Sequence, residues 1–172
     1  LDAVQVKHAF RIEWTRLAWG HNYWRKHGSV VPDDFLDVLR PLDAILLGAV
    51  GWPALIPDHI TLAPLVKIRQ TFDQYACVRP SKLFPGVKTV LAGKGPAEID
   101  FVVIRENSEG EYSSVGGRMF GGTDREFVTQ QAIFSRHGVD RILKFAYELA
   151  QKRPKKHLTS ATKSNGISIS MP

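Results

Sequence analysis

The chain has 172 residues, 44% of them hydrophobic and 23% charged, which is the composition of a globular protein with one core or parts of two smaller lobes. Its formal net charge of +6 favours anionic partners, but the basic residues are scattered and carry no RNP, helix-turn-helix or zinc-finger spacing, so nucleic acid is set aside. A single Cys77 excludes an internal disulfide framework and a Cys-based zinc site, which fits a cytoplasmic setting, and the longest apolar run, Ala44 to Val50, is strand-sized, so no membrane partner is expected.

From Val4 to Trp14 the even positions Val4, Val6, Phe10, Ile12 and Trp14 are apolar and the intervening ones mostly polar, which predicts a half-buried strand. Trp19, Tyr23 and Trp24 follow in a short helical stretch closed by Gly28, and Pro32-Asp33-Asp34 starts another helix through Leu39. LDAILLGAVGWP reads as a strand buried on both faces that ends in a glycine-rich turn. A helix capped at Thr61 carries Leu62, Leu65, Val66 and Phe72 on one stripe.

Beyond it the pattern predicts strands at Tyr75 to Pro80 and Ile99 to Arg105, separated by a turn at Pro85-Gly86. Glu111 to Phe134, glycine-rich in its middle, reads as a projecting hairpin. A helix is expected from about Val139 to Gln151, then a last strand from His157 to Thr162. Strands alternating with helices indicate an α/β protein, with a lobe boundary near residue 74: residues 1–74 form part of a first lobe and 75–172 part of a second.

Three arginines stand where apolar residues belong. Arg69 lies inside its helix's apolar stripe, Arg79 shares a strand face with Tyr75 and Cys77, and Arg105 shares one with Phe101 and Val103. A guanidinium cannot lose its charge and is costly to bury alone, so each faces a buried acid, snorkels to solvent, or meets a ligand anion. Three together favour the anion. An Arg fork grips a carboxylate through charge-assisted bonds of roughly 1.5–3 kcal/mol each, which suits a small di- or tricarboxylate better than a phosphodiester.

Two candidates for proton transfer accompany them: Tyr112, seven residues after Arg105, and Lys163, directly after the last expected strand. Each alone reads equally well as a packing or solvent-exposed residue. The glycines of GAVGWP allow close backbone approach to a ligand, or serve turn geometry only. No G-x-G-x-x-G or P-loop pattern exists, and the six histidines show no metal-ligand spacing.

GAVGWP, IRQ with Arg69, VRP with Arg79, VVIRENSEGEY with Arg105 and Tyr112, and TKSNG with Lys163 and Asn165 resemble, in that order, the β-decarboxylating isocitrate and isopropylmalate dehydrogenase family. RENSEGEYSSVGGRMFGG and SATKSNG are most similar to its tartrate and D-malate dehydrogenase branch, since isopropylmalate enzymes carry RELTGG-like and DKAN-like segments there. Leu62 stands where isopropylmalate enzymes have an acidic residue, which argues against that substrate.

The resemblance implies a partial isopropylmalate dehydrogenase-like fold: a central segment spanning parts of both lobes, with a β arm at 111–134 that clasps a second subunit. It further implies oxidation and decarboxylation of a 2-hydroxy dicarboxylate by NAD, with Mn or Mg and a possible monovalent cation. Arg69, Arg79 and Arg105 would hold the substrate, Lys163 would take the hydroxyl proton, Tyr112 would protonate the enol, and Asn165 would contact the cofactor. Lys163 and Asn165 would reach the partner's site in a homodimer. The family's first glycine loop, metal-binding aspartates and adenine segment have no counterpart in residues 1–172, so the expectation is a fragment without metal ligands, inactive alone, or a remnant that only dimerises.

Overall fold

The computed structural model describes residues 1–171. Two compact units divide inside one helix, Leu1–Leu65 and Val66–Pro172.

The first unit opens with α1 (Asp2–His8), not the expected strand. Val4 and Val6 are exposed, and no neighbouring strand is present in this unit, so the backbone satisfies itself locally, as in the bond from Gln5 N to Leu1 O. The alternation of apolar residues was therefore a weaker constraint than the lack of a strand to pair with. α2 (His21–His27) ends as expected on Gly28, left-handed at φ 70°. α3 (Phe35–Leu39) buries Phe35 and Leu39, which form the core of this unit with Val30 and Ile56.

Residues 42–53 form no strand. Leu46 and Leu47 are exposed, and the sole pairing near this segment is an isolated bridge from Trp52 to Ile56. A strand buried on both faces needs flanking strands and covering layers, and this unit offers neither. α4 (Asp58–Thr71) begins one turn before the expected cap. Thr61 lies within it, buried, its hydroxyl donating to Asp58 O at 3.1 Å. Thr61 and Ile68 are the buried positions of this helix while Leu62 is half exposed, so its apolar face is rotated from the expected stripe.

In the second unit β1 (Ala76–Lys82) and β2 (Asp100–Glu106) pair antiparallel, with Cys77 opposite Arg105 and Arg79 opposite Val103. β3 (Gly110–Met119) and β4 (Phe127–Ile133) form the expected hairpin arm, with an irregularity between Gly110 and Val115. Gly116 has φ 157°, and a Cβ there would collide with the carbonyl of Thr129 on the facing strand, so only glycine permits this pairing. α5 (Arg136–Lys152) packs against β2. Its cap is Ser135, whose Oγ accepts from Gly138 N, so it starts three residues earlier than expected. Residues 157–162 are irregular and exposed, again with no strand beside them to pair with.

Candidate active site

The β1–β2 register gathers the charged residues. Directly opposed residues of an antiparallel pair point to one face, so Cys77 and Arg105 share a face, and Arg79, two residues along β1, joins them. Arg79 Nε donates to Cys77 Sγ at 3.2 Å. Arg105 Nη2 donates to Asn107 Oδ1 at 2.7 Å, and its Cζ lies 5.7 Å from the centroid of the Tyr112 ring. The Nε of Arg105 is buried and has no hydrogen-bond partner.

The last turn of α4 is tied to the start of β3, because Gln70 Nε2 donates to Tyr112 O at 2.6 Å. Arg69 precedes Gln70 in that turn and is partly buried. One substructure thus assembles Arg79, Arg105 and Tyr112, with Arg69 one residue from its anchor. Lys163 and Asn165 are not part of it: both are exposed in the irregular segment after α5, without a hydrogen bond or ion pair to the group. The hydroxyl of Thr162 beside them donates to Met171 O at 2.6 Å.

None of the three arginines forms a salt bridge with an acid among the described residues. The acids nearby are committed elsewhere. Asp73 binds Arg141, at 2.8 Å, and Asp100 binds Arg153 at 2.7 Å and Lys82 at 3.6 Å. The hydrogen bond from Arg153 holds the Asp100 carboxyl below its ordinary range, and the charges of Arg153 and Lys82 add to it against the opposing effect of desolvation.

The glutamates of RENSEGEY do not pair with arginines. Glu106 accepts from Ser108 Oγ at 2.5 Å, from Ser108 N at 3.0 Å and from Glu109 N at 2.8 Å. Partial burial pushes its carboxyl up, but the Ser108 hydroxyl and the amides of Glu109, Ser108 and Asn107 together leave it below an ordinary glutamate. Glu109 accepts from Ser135 N at 2.8 Å and Ser135 Oγ at 2.5 Å, which ties the turn to the start of α5. These acids hold the turn that separates Arg105 from Tyr112.

Two residues of this neighbourhood are not among those the sequence singled out. Arg141 looks like one more basic residue on a surface helix, yet it stacks on Tyr75 at 4.5 Å and donates to Ser108 Oγ at 3.0 Å. Asn107 is 6% exposed and bridges Arg105 to Gln74 O, 3.1 Å from its Nδ2. Only the position of Asn107, two residues beyond an arginine at a strand end, could have pointed to it.

The chain matches the isocitrate/isopropylmalate dehydrogenase family over residues 1–171. It is 53% identical over its whole length to tartrate dehydrogenase/decarboxylase of Pseudomonas putida, covering 48% of that protein. It is 54% identical to the decarboxylating D-malate dehydrogenase of Escherichia coli strain K12, with the same 48% coverage. In three dimensions it is similar to isocitrate dehydrogenase from Methylococcus capsulatus, with a TM-score of 0.73 at 25% identity over 97% of this chain and 48% of that one. The chain spans about half the length of the curated relatives it matches. The partial α/β fold and the branch indicated by RENSEGEY and SATKSNG agree with these likenesses. With its full described length matched, this chain belongs to the isocitrate/isopropylmalate dehydrogenase family.

Proposed function

We propose that the chain supplies the carboxylate anchors of an NAD-dependent dehydrogenase that oxidises and decarboxylates a 2-hydroxy dicarboxylate such as tartrate or D-malate. One observation carries this reading: Arg79 and Arg105 share a sheet face beside Tyr112, and no acid of the described residues neutralises either of them or Arg69. Guanidinium forks without internal partners are suited to hold the carboxylates of a small diacid and fix its orientation.

In the proposed reaction, D-malate loses its hydroxyl proton and a hydride from the same carbon, the hydride passing to NAD as co-substrate. The resulting 2-keto diacid releases its β-carboxylate as carbon dioxide, and the enolate left behind takes a proton at carbon. Tyr112, beside Arg105, is the proposed proton donor for that last step. Lys163 is the proposed acceptor of the hydroxyl proton and Asn165 a cofactor contact, both delivered by the exposed segment of a second copy in a homodimer. Mn or Mg is the expected metal for this chemistry. Among the described residues no three His, Cys, Asp or Glu side chains are grouped to hold one, so the residues present do not fit a metal and no step is derived through it. For that reason turnover by the 172-residue chain alone is not expected.

A second reading, a module that acts only by dimerising, is favoured by the arm: all seven residues of β4 are exposed. Calorimetric titration with D-malate and with tartrate, paired with an NADH absorbance assay in the presence of manganese, tests the first reading. Binding that is weakened roughly ten- to a hundredfold in Arg105→Gln is expected. Absence of binding to either acid overturns it, and robust turnover by this chain overturns the expectation of inactivity. Size-exclusion chromatography showing a dimer without dicarboxylate binding would favour the second.

A further inference from the structure

Arg105 is held by one polar side chain, and that side chain is neutral. Asn107 accepts from Arg105 Nη2 at 2.7 Å and donates through Nδ2 to the backbone carbonyl of Gln74 at 3.1 Å, just before β1. It is only 6% exposed, so its carboxamide is fixed by these bonds rather than by water. The guanidinium is therefore pinned between the start of β1 and the ring of Tyr112, while its buried Nε is left with no protein acceptor.

The chemistry of the acceptor matters. An aspartate at this place would hold Arg105 more tightly but would cancel its charge and compete with any arriving carboxylate. An apolar residue would leave the charge intact and the side chain free to turn. A carboxamide orients the fork and preserves the full positive charge.

We infer that Asn107 is a positioning residue of the dicarboxylate site, orienting the Arg105 guanidinium without neutralising it. This rests on the function proposed above, since it assumes that Arg105 meets a substrate carboxylate.

The test uses the 172-residue chain with two variants, Asn107→Leu and Asn107→Asp, and two readouts. The first is the NMR signal of the Arg105 side-chain nitrogens, which reports hindered rotation about the Nε–Cζ bond when a nitrogen is hydrogen-bonded. The second is D-malate affinity by calorimetry. Hindered rotation is expected in the parent chain and in Asn107→Asp but not in Asn107→Leu. Affinity should fall roughly five- to tenfold in Asn107→Leu, the loss of one charge-assisted bond's ordering, and further in Asn107→Asp, where the carboxylate competes. A merely structural role would follow each variant's melting temperature instead of this order. Unchanged rotation in Asn107→Leu overturns the inference, as does parent-like affinity in both variants. If the parent binds no D-malate, the functional reading fails and with it the role at a substrate site, while the NMR arm still decides whether Asn107 orients Arg105. Should Asn107→Leu not fold, Asn107→Ser, with a shorter acceptor, takes its place on the same criteria.

Discussion

Arg141 on α5 grips Asp73, just beyond α4, across 68 residues of sequence, one nitrogen reaching both carboxylate oxygens at 2.8 and 2.9 Å. Asp73 holds a left-handed backbone, φ 47°, which short polar residues tolerate. The same guanidinium stacks on Tyr75 and binds Ser108, so it ties α5 to the stretch before β1 and to the turn before β3. Since Asp73 is mostly exposed, the ion pair itself is weak. With the Ser108 bond and the stacking added, Arg141→Ala is expected to destabilise the chain by about 1–2 kcal/mol, read from urea unfolding midpoints. Asp73→Gly, which keeps the backbone conformation and removes only the ion pair, should cost clearly less.

Gly138 offers a reversal of sign. In an exposed helix Gly→Ala normally stabilises by about 1 kcal/mol. Here an added Cβ falls on the Glu109 carboxylate, whose bonds to Ser135 cap the same helix. Gly138→Ala is therefore expected to destabilise, by roughly 1–2 kcal/mol, as the cap is displaced. Combined with Glu109→Ala, the added methyl should become neutral or stabilising. A double-mutant cycle on thermal unfolding measures that change of sign.

The Glu106 carboxyl sits below its ordinary range in the folded chain, so it binds a proton less readily folded than unfolded. Its contribution to stability is complete above the unfolded value, about pH 4.3, and is lost as pH falls through the folded one. Glu106→Gln should accordingly be less stable than the parent by a constant amount near neutrality, and the gap should close on acidification below about pH 4.3. Asp100 titrates in the same direction in both proteins, so the difference between them isolates Glu106. A gap that widens in acid would contradict this assignment.

Arg79→Gln and Arg105→Gln each remove charge-assisted bonds to a carboxylate, and each is expected to weaken D-malate binding by roughly ten- to a hundredfold. Tyr112→Phe keeps both forks and is expected to leave that affinity within about twofold, since its proposed role is proton donation rather than anchoring. Calorimetric titration of the three variants separates the two classes of residue.

The elements that were legible carry local signals. Gly28 closes α2 in the first unit, and in the second Pro85-Gly86 makes a turn and the alternation in FVVIRE marks β2, each of these depending on residues close in sequence. Val4–Trp14, residues 42–53 and His157–Thr162 were read as strands from the same kind of pattern and are not strands here. A strand is completed by its neighbour, and a pattern of apolar residues does not say whether that neighbour is present. The thread from Arg69 to Tyr112 was recognisable as an ordered set of motifs, although no spacing along the chain says which of them meet.

The sequence alone determined the residue chemistry: arginines set among apolar positions, a tyrosine after the second strand, and no acid in their immediate motifs except the glutamates of RENSEGEY. Only the tertiary structure decided that Glu106 and Glu109 face backbone amides and serine hydroxyls instead of the arginines, that Cys77 and Arg105 stand opposite each other, and that Asn107 is the partner of Arg105. The physical reason is that charge and hydrogen-bonding capacity belong to a residue type, whereas the choice among competing partners depends on which groups burial and strand register bring within about 3 Å.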